Sequence, residues 1–345
     1  MILAAPQILL GWVSIVLLLS WPAAAQPFDA IHVFGDSSTT TVGGPYFQGR
    51  WCNGLVWPEY LAEKWGLGNQ ARNNHAQSLA TSLQILNQVT SLRGDSLETS
   101  LCVLFAGAWD FGPSFHQEPD APALSRLTTQ VVANCSNAVL TLYNKGARTI
   151  AVLNQPDFMR FPDFAQVSAV NKTFFRNRTI EFNRALTSAM SALRSSRPDL
   201  FVPVVDVFAL FDSILDQPDF YGFTESRIAV IHDTRLTDKN FNGPGKNYLF
   251  WDASSITSKM QSMVANSVAD TIQGTQLSLA PSESGFILSG LRLLVGKTYV
   301  VQSSSDAALW TDEQTEQVLF SEGELLSVSN AGPPAQFFRL QYLSD

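Results

Sequence analysis

Gly35-Asp36-Ser37-Ser38 closes the apolar run Ile31-His32-Val33-Phe34 and offers the chain's best-placed nucleophile. Apolar β-formers that run into a tight turn deliver one hydroxyl to the end of a buried strand. A serine hydroxyl needs a general base, a group that orients the base, and donors facing the developing oxyanion. Asp110, Asp157, Asp163 and Asp238 are scattered along the chain, and Cys52, Cys102 and Cys135 lack metal-ligand spacing. Neither a metal centre nor a pair of glycosidase carboxylates is formed by such a pattern. The chemistry on offer is therefore nucleophilic attack by a serine, with no metal or organic cofactor implied.

The elements that must hold Ser37 alternate regularly. The spacing predicts a helix over 56–65, a strand over 101–105, a helix over 124–145 and a strand over 149–153. A helix over 174–194, a strand over 201–205 and helices over 208–215 and 257–272 follow. Strands separated by helices give an α/β fold, a parallel sheet covered on both faces, with the working site at the carboxyl ends of the strands.

Phe34-Gly35-Asp36-Ser37 resembles the first signature block of the GDSL (SGNH) hydrolases. Gly49-Arg50, Asn53-Gly54, Val56-Trp57 and Glu59-Tyr60-Leu61 are similar to the segment after that block, and Tyr248-Leu249-Phe250-Trp251-Asp252 to the last one. Asp206, Phe208-Ala209-Leu210-Phe211 and Tyr221-Gly222-Phe223-Thr224 fit the run between. The resemblance covers about residues 30 to 272 and implies a three-layer α/β/α sandwich that hydrolyses carboxylic esters. It assigns Ser37 as nucleophile and Asp252 as the aspartate of a triad.

The rest of the expected machinery is altered. The family's histidine falls on Ser255, in Asp252-Ala253-Ser254-Ser255, and serine cannot accept a proton near neutral pH. The glycine pair of the second block is replaced by Ser78 and Leu79, whose backbone amides can still serve an oxyanion. The asparagine of the third block is replaced by Trp109, whose bulk should narrow the pocket. His75 and His232 are the first candidates for a surrogate base, ahead of His32 and His116. Released from a triad, Asp252 has a competing role as cap of the following helix, as do Ser254 and Ser255.

Hydrophobic residues at 46% and charged residues at 15% describe a globular chain, and its 345 residues exceed one usual core. A net charge of −8 argues against nucleic acid as a partner and points to a neutral or modestly polar ligand, and the resemblance implies a small ester, a lipid or an acylated glycan. The apolar run from Ile8 to Trp21 precedes Ala23-Ala24-Ala25, which reads as a secretory signal over 1–25, although no Lys or Arg precedes the run. With that segment removed, no stretch is long and apolar enough to span a membrane. The hydrolase-like domain should occupy 26–274. Gly274 to Pro281 reads as a linker, and a period of two in 298–303, 324–328 and 337–342 predicts a small β-sandwich in 275–345. Two other readings compete with an exported hydrolase: a noncatalytic binder of lipid or glycan, and a surface structural protein.

Overall fold

The computed structural model describes residues 28–68, 73–94, 96–274, 276–282, 285–291, 298–304, 311–317, 322–329 and 337–342. The expected signal segment, 1–25, lies outside the described residues. The first unit is built on a parallel sheet of β1 (Ala30–Phe34), β2 (Ser100–Phe105), β3 (Thr149–Leu153) and β4 (Val204–Val205), adjacent in that order. All six residues of β2 are buried, as a strand covered on both faces requires. Helices α1 (Trp57–Lys64), α6 (Val207–Asp216) and α7 (Ser258–Gln273) pack together, as do α2 (Ser82–Ser91), α4 (Ala121–Asn144) and α5 (Ala169–Ser196). This is the α/β/α sandwich.

Asn74 makes a parallel bridge to Val33, on the side of β1 away from β2. The chain thus leaves β1 for one neighbour and crosses back to the other, so the end of β1 lies at a topological switch point. Ser37 follows β1 there. The fourth strand is shorter than its apolar run suggests because Pro203 has no N–H for the ladder. The carbonyls of Phe201 and Pro203 still accept from Ile150 (2.9 Å) and Val152 (3.0 Å).

Several of the signature residues turn out to be structural. Arg50 Nε donates to Glu59 Oε2 at 2.7 Å, and the same oxygen accepts from the Val56 amide at 3.0 Å, which fixes the entry to α1. The Asn53 side-chain Oδ1 accepts from the Ser258 amide at 2.7 Å and so satisfies an orphan donor at the start of α7.

Beyond Gly274 the chain forms two three-stranded antiparallel sheets. One joins β5 (Gln276–Ser282), β6 (Gly285–Leu291) and β9 (Glu322–Ser329); the other joins β7 (Thr298–Ser304), β8 (Thr311–Gln317) and β10 (Phe337–Tyr342). The expected linker is overturned: small and polar composition hides the alternation of Leu277 and Leu279 inside a strand paired in register with β6. Cys52, Cys102 and Cys135 are all free and buried. No helix among the described residues is long and apolar enough to cross a membrane.

Candidate active site

The turn after β1 is held from several directions. Asp36 Oδ1 accepts from the Ser38 amide (2.9 Å) and hydroxyl (2.7 Å), while the Asp36 carbonyl accepts from the amides of Thr39 (3.1 Å) and Thr40 (3.0 Å). The Gln88 side chain of α2 accepts from the Gly35 amide at 3.1 Å and donates to its carbonyl at 3.0 Å. A Cβ at Gly35 would come within 2.8 Å of Thr39 Oγ1, so the glycine is required by close approach. Burial pushes the Asp36 carboxyl up to about 6, against the hydrogen bonds from Ser38.

Ser37 is 9% exposed, and its Oγ accepts from the Leu79 amide at 2.9 Å. Leu79 has φ +62°, in the left-handed region that costs a branched side chain and suits the glycine of the family block. Its neighbour Ser78 is fixed by the Trp51 indole, which donates to Ser78 Oγ at 2.9 Å. Trp109 lies in α3 (Ala108–Phe115), which is tied to α2 because Asp110 accepts from both the amide and the hydroxyl of Ser82 at 2.7 Å. The Trp109 indole lines the cavity beside Ser37 and stays 37% exposed.

Asp252 is buried and engaged. Its Oδ1 accepts from the Ser254 amide at 2.9 Å and the Ser255 amide at 2.6 Å. Burial of Tyr46 and its hydrogen bond to Asp252 raise the phenol above its ordinary value. The expectation that Asp252, Ser254 or Ser255 caps the next helix is corrected: the N-cap of α7 is Thr257, and Asp252 closes a turn ahead of it.

Ser37, Trp109, Ser254 and Ser255 line one cavity of about 350 Å³. Its interior is apolar, with Phe105, Phe115, Phe161 and Phe211 in the walls. Neither surrogate histidine reaches it. The His75 ring stacks on Phe34 (4.9 Å) and His32 (5.7 Å) at the sheet edge and lines a separate polar cleft. His232 ends a short 3₁₀ turn, Val230–His232, outside the cavity wall. The histidine that does line the cavity is His116, whose Nε2 lies 3.7 Å from Asp163 Oδ2 with its ring against Phe164. Asp163 is itself docked on the Asp252–Ser255 turn, its amide donating to the Ala253 carbonyl at 3.0 Å.

Residues 31–268 match the model of the family described as GDSL-like Lipase/Acylhydrolase. The chain belongs to this family. A thermolabile hemolysin of Vibrio parahaemolyticus is 21% identical over 282 residues, which are 72% of this chain and 65% of the hemolysin. An acetylesterase of Thermothelomyces thermophilus is 22% identical over 298 residues, 73% of this chain and 93% of that protein. Among solved structures, an acetylxylan esterase from Geobacillus stearothermophilus aligns with a TM-score of 0.43 at 14% identity, covering 72% of this chain and 96% of the other.

Within the GDSL frame, the site brings together a serine, an oxyanion-type amide and an apolar cavity, with a hydroxyl at Ser255 where the family holds an imidazole. The sequence did not single out the segment 156–164 as part of the wall. Phe158 and Phe164 lie there in two short 3₁₀ turns with Phe161 between them, and the apolar residues follow neither a helical nor a strand period.

Proposed function

We propose that the protein is an exported carboxylester hydrolase of the GDSL family with weak turnover. The observation that carries this reading is that Ser37 and Ser255 line one apolar cavity, while Asp252 spends Oδ1 on the Ser254 and Ser255 amides. Ser37 attacks the ester carbonyl and gives up its proton to water, the Leu79 amide steadies the oxyanion, the alkoxide leaves with a proton from solvent, and a second water then cleaves the acyl-serine to the acid and free Ser37. With no base hydrogen-bonded to the Ser37 hydroxyl, the rate is low. In subtilisin, losing the histidine alone costs about 2 × 10⁶ in kcat. The apolar segment ahead of Ala23-Ala24-Ala25 supports export, and the lipase/acylhydrolase family and the acetylesterase relative support an ester or lipid as substrate.

The test is hydrolysis of 4-nitrophenyl butyrate by purified protein beside Ser37→Ala. A slow, saturable rate lost in the variant supports the reading, and equal rates from both proteins would sink it. The second reading, a noncatalytic ligand binder, is favoured by the intact apolar cavity and predicts tight apolar binding that Ser37→Ala leaves in place.

A further inference from the structure

Three separate segments meet at one point on the cavity wall. Helix α3 ends at His116, directly after the buried Phe115, and the His116 ring lies 5.1 Å from that of Phe164. Asp163 precedes Phe164 and follows Phe161 by two residues, and both rings are buried in the same wall. The bond from the Asp163 amide to the Ala253 carbonyl ties this pair to the turn of Asp252 and Ser255. An imidazole with a carboxylate beside it is thereby carried to that turn from outside it. The 3.7 Å between His116 Nε2 and Asp163 Oδ2 is an ion-pair distance, longer than a hydrogen bond. Catalytic contacts are often this loose before substrate binds.

The same point is where the cavity can hold water. Its interior is lined by rings, and several of its polar side chains are engaged. Asp36 accepts from Ser38, while Gln261 accepts from the Trp57 amide at 3.0 Å and donates to the Ser38 carbonyl at 3.3 Å. A water in such a space needs two to four polar partners. Ser37, Ser255, His116 and Asp163 line it and can supply them. The side chains of His116 and Asp163 are 59% and 39% exposed, so solvent reaches this part of the wall, whereas Ser37 is buried.

We propose, on the reading that Ser37 turns over through an acyl intermediate, that His116 positioned by Asp163 is the base for the water that cleaves that intermediate. With the Nε2 proton turned to Asp163, Nδ1 carries the lone pair. The water oxygen bonds to the acyl carbon as Nδ1 takes one of its protons, and the carbonyl pair becomes an oxyanion served by the Leu79 amide. When the oxyanion collapses, the bond from the acyl carbon to Ser37 Oγ breaks, His116 returns the proton to Oγ, and the acid departs. His116 is thus a catalytic residue of the second half-reaction, and Asp163 is its positioning residue.

The experiment forms the acyl-protein with excess 4-nitrophenyl butyrate, removes the ester by rapid desalting, and follows loss of the butyryl group by intact mass. In His116→Gln the group should survive at least about tenfold longer than in wild type, below the usual contribution of a positioned base. Asp163→Asn should lengthen its life by a smaller factor. Half-exposed ion pairs add little to stability, so both variants should keep the wild-type thermal midpoint. Added imidazole should shorten the lifetime in His116→Ala, where the place of the ring is empty, and not in His116→Gln. A butyryl group no longer-lived in His116→Gln than in wild type overturns the assignment, and if nitrophenolate release still depends on Ser37 the weak-hydrolase reading stands. A longer lifetime that imidazole leaves unchanged in His116→Ala also overturns it, since the ring then acts by packing. No release that depends on Ser37 in any of the proteins sinks both readings.

Discussion

The amide of Leu79 donates to the hydroxyl oxygen of Ser37 across 2.9 Å, so the donor suited to an oxyanion holds the nucleophile itself. In the resting site the serine oxygen is therefore an acceptor, and among the described residues no imidazole is hydrogen-bonded to it, His116 lining the same cavity beside Asp163 instead. Restoring that partner is the direct test of what the site lacks. Ser255→His combined with Trp109→Asn should raise kcat on 4-nitrophenyl butyrate by at least about 10², the low end of what a positioned base contributes. Ser255→His alone should give a smaller gain, because one oxyanion donor is worth roughly 10² to 10³. A double variant no faster than wild type would show that Asp252, held by its turn, cannot orient the new ring.

Leu79 itself stores strain. Its φ of +62° is unfavourable for a branched residue, and its side chain is half exposed, so little packing is lost by removing it. Leu79→Gly should stabilise the fold by about 0.5–1 kcal/mol, the left-handed cost less the greater chain entropy of glycine. Urea unfolding measures this. Destabilisation of similar size would mean that the leucine side chain makes a contact worth more than the backbone strain.

The framework was legible wherever a single period governed a stretch. Thr149–Leu153 is five apolar or β-branched residues between a helix and a loop, and Phe337–Tyr342 alternates; both strands fall where the pattern puts them. Helix α3 was harder to read because Gly112 and Pro113 interrupt its pattern, although its Trp109 marked the third block. Ser37, Ser78, Leu79 and Ser255 could be placed because ordered blocks flank them. The choice among histidines could not be made in this way. His75 is a few residues from Leu79 in sequence, yet stacking on Phe34 turns it to the sheet edge, while His116 is brought to the cavity by the path of α3. Such distances are set by tertiary packing, which no local pattern encodes.

Asp252 acts on its own turn. An asparagine there keeps the Oδ1 acceptor for the amides of Ser254 and Ser255, whereas alanine leaves both donors without it. Asp252→Ala should cost about 2 kcal/mol in urea unfolding and Asp252→Asn less than about 1 kcal/mol. Residual esterase activity should change by no more than about threefold in Asp252→Asn, because no histidine depends on its charge. In a working serine triad the same exchange costs about 10⁴, so a loss of that size would reveal a base that Asp252 does orient.

The pH dependence of stability should carry the signature of Asp36. Burial raises its carboxyl from the ordinary range near 3.9 to about 6 in the folded protein. Between those values the folded state keeps a proton that the unfolded chain has released, so stability falls as pH rises through this window. Its contribution is fully present below about pH 4 and lost above about pH 6. The shift corresponds to about 3 kcal/mol. Asp36→Asn retains an acceptor for the Ser38 amide and hydroxyl and cannot ionise. Urea unfolding between pH 4 and 7 should therefore show wild type losing about 3 kcal/mol relative to the variant, with nearly all of the divergence between pH 4 and 6. Parallel curves would mean that the carboxylate is already ionised at the unfolded-state pKa, and that the hydrogen bonds from Ser38 offset the whole cost of burying it.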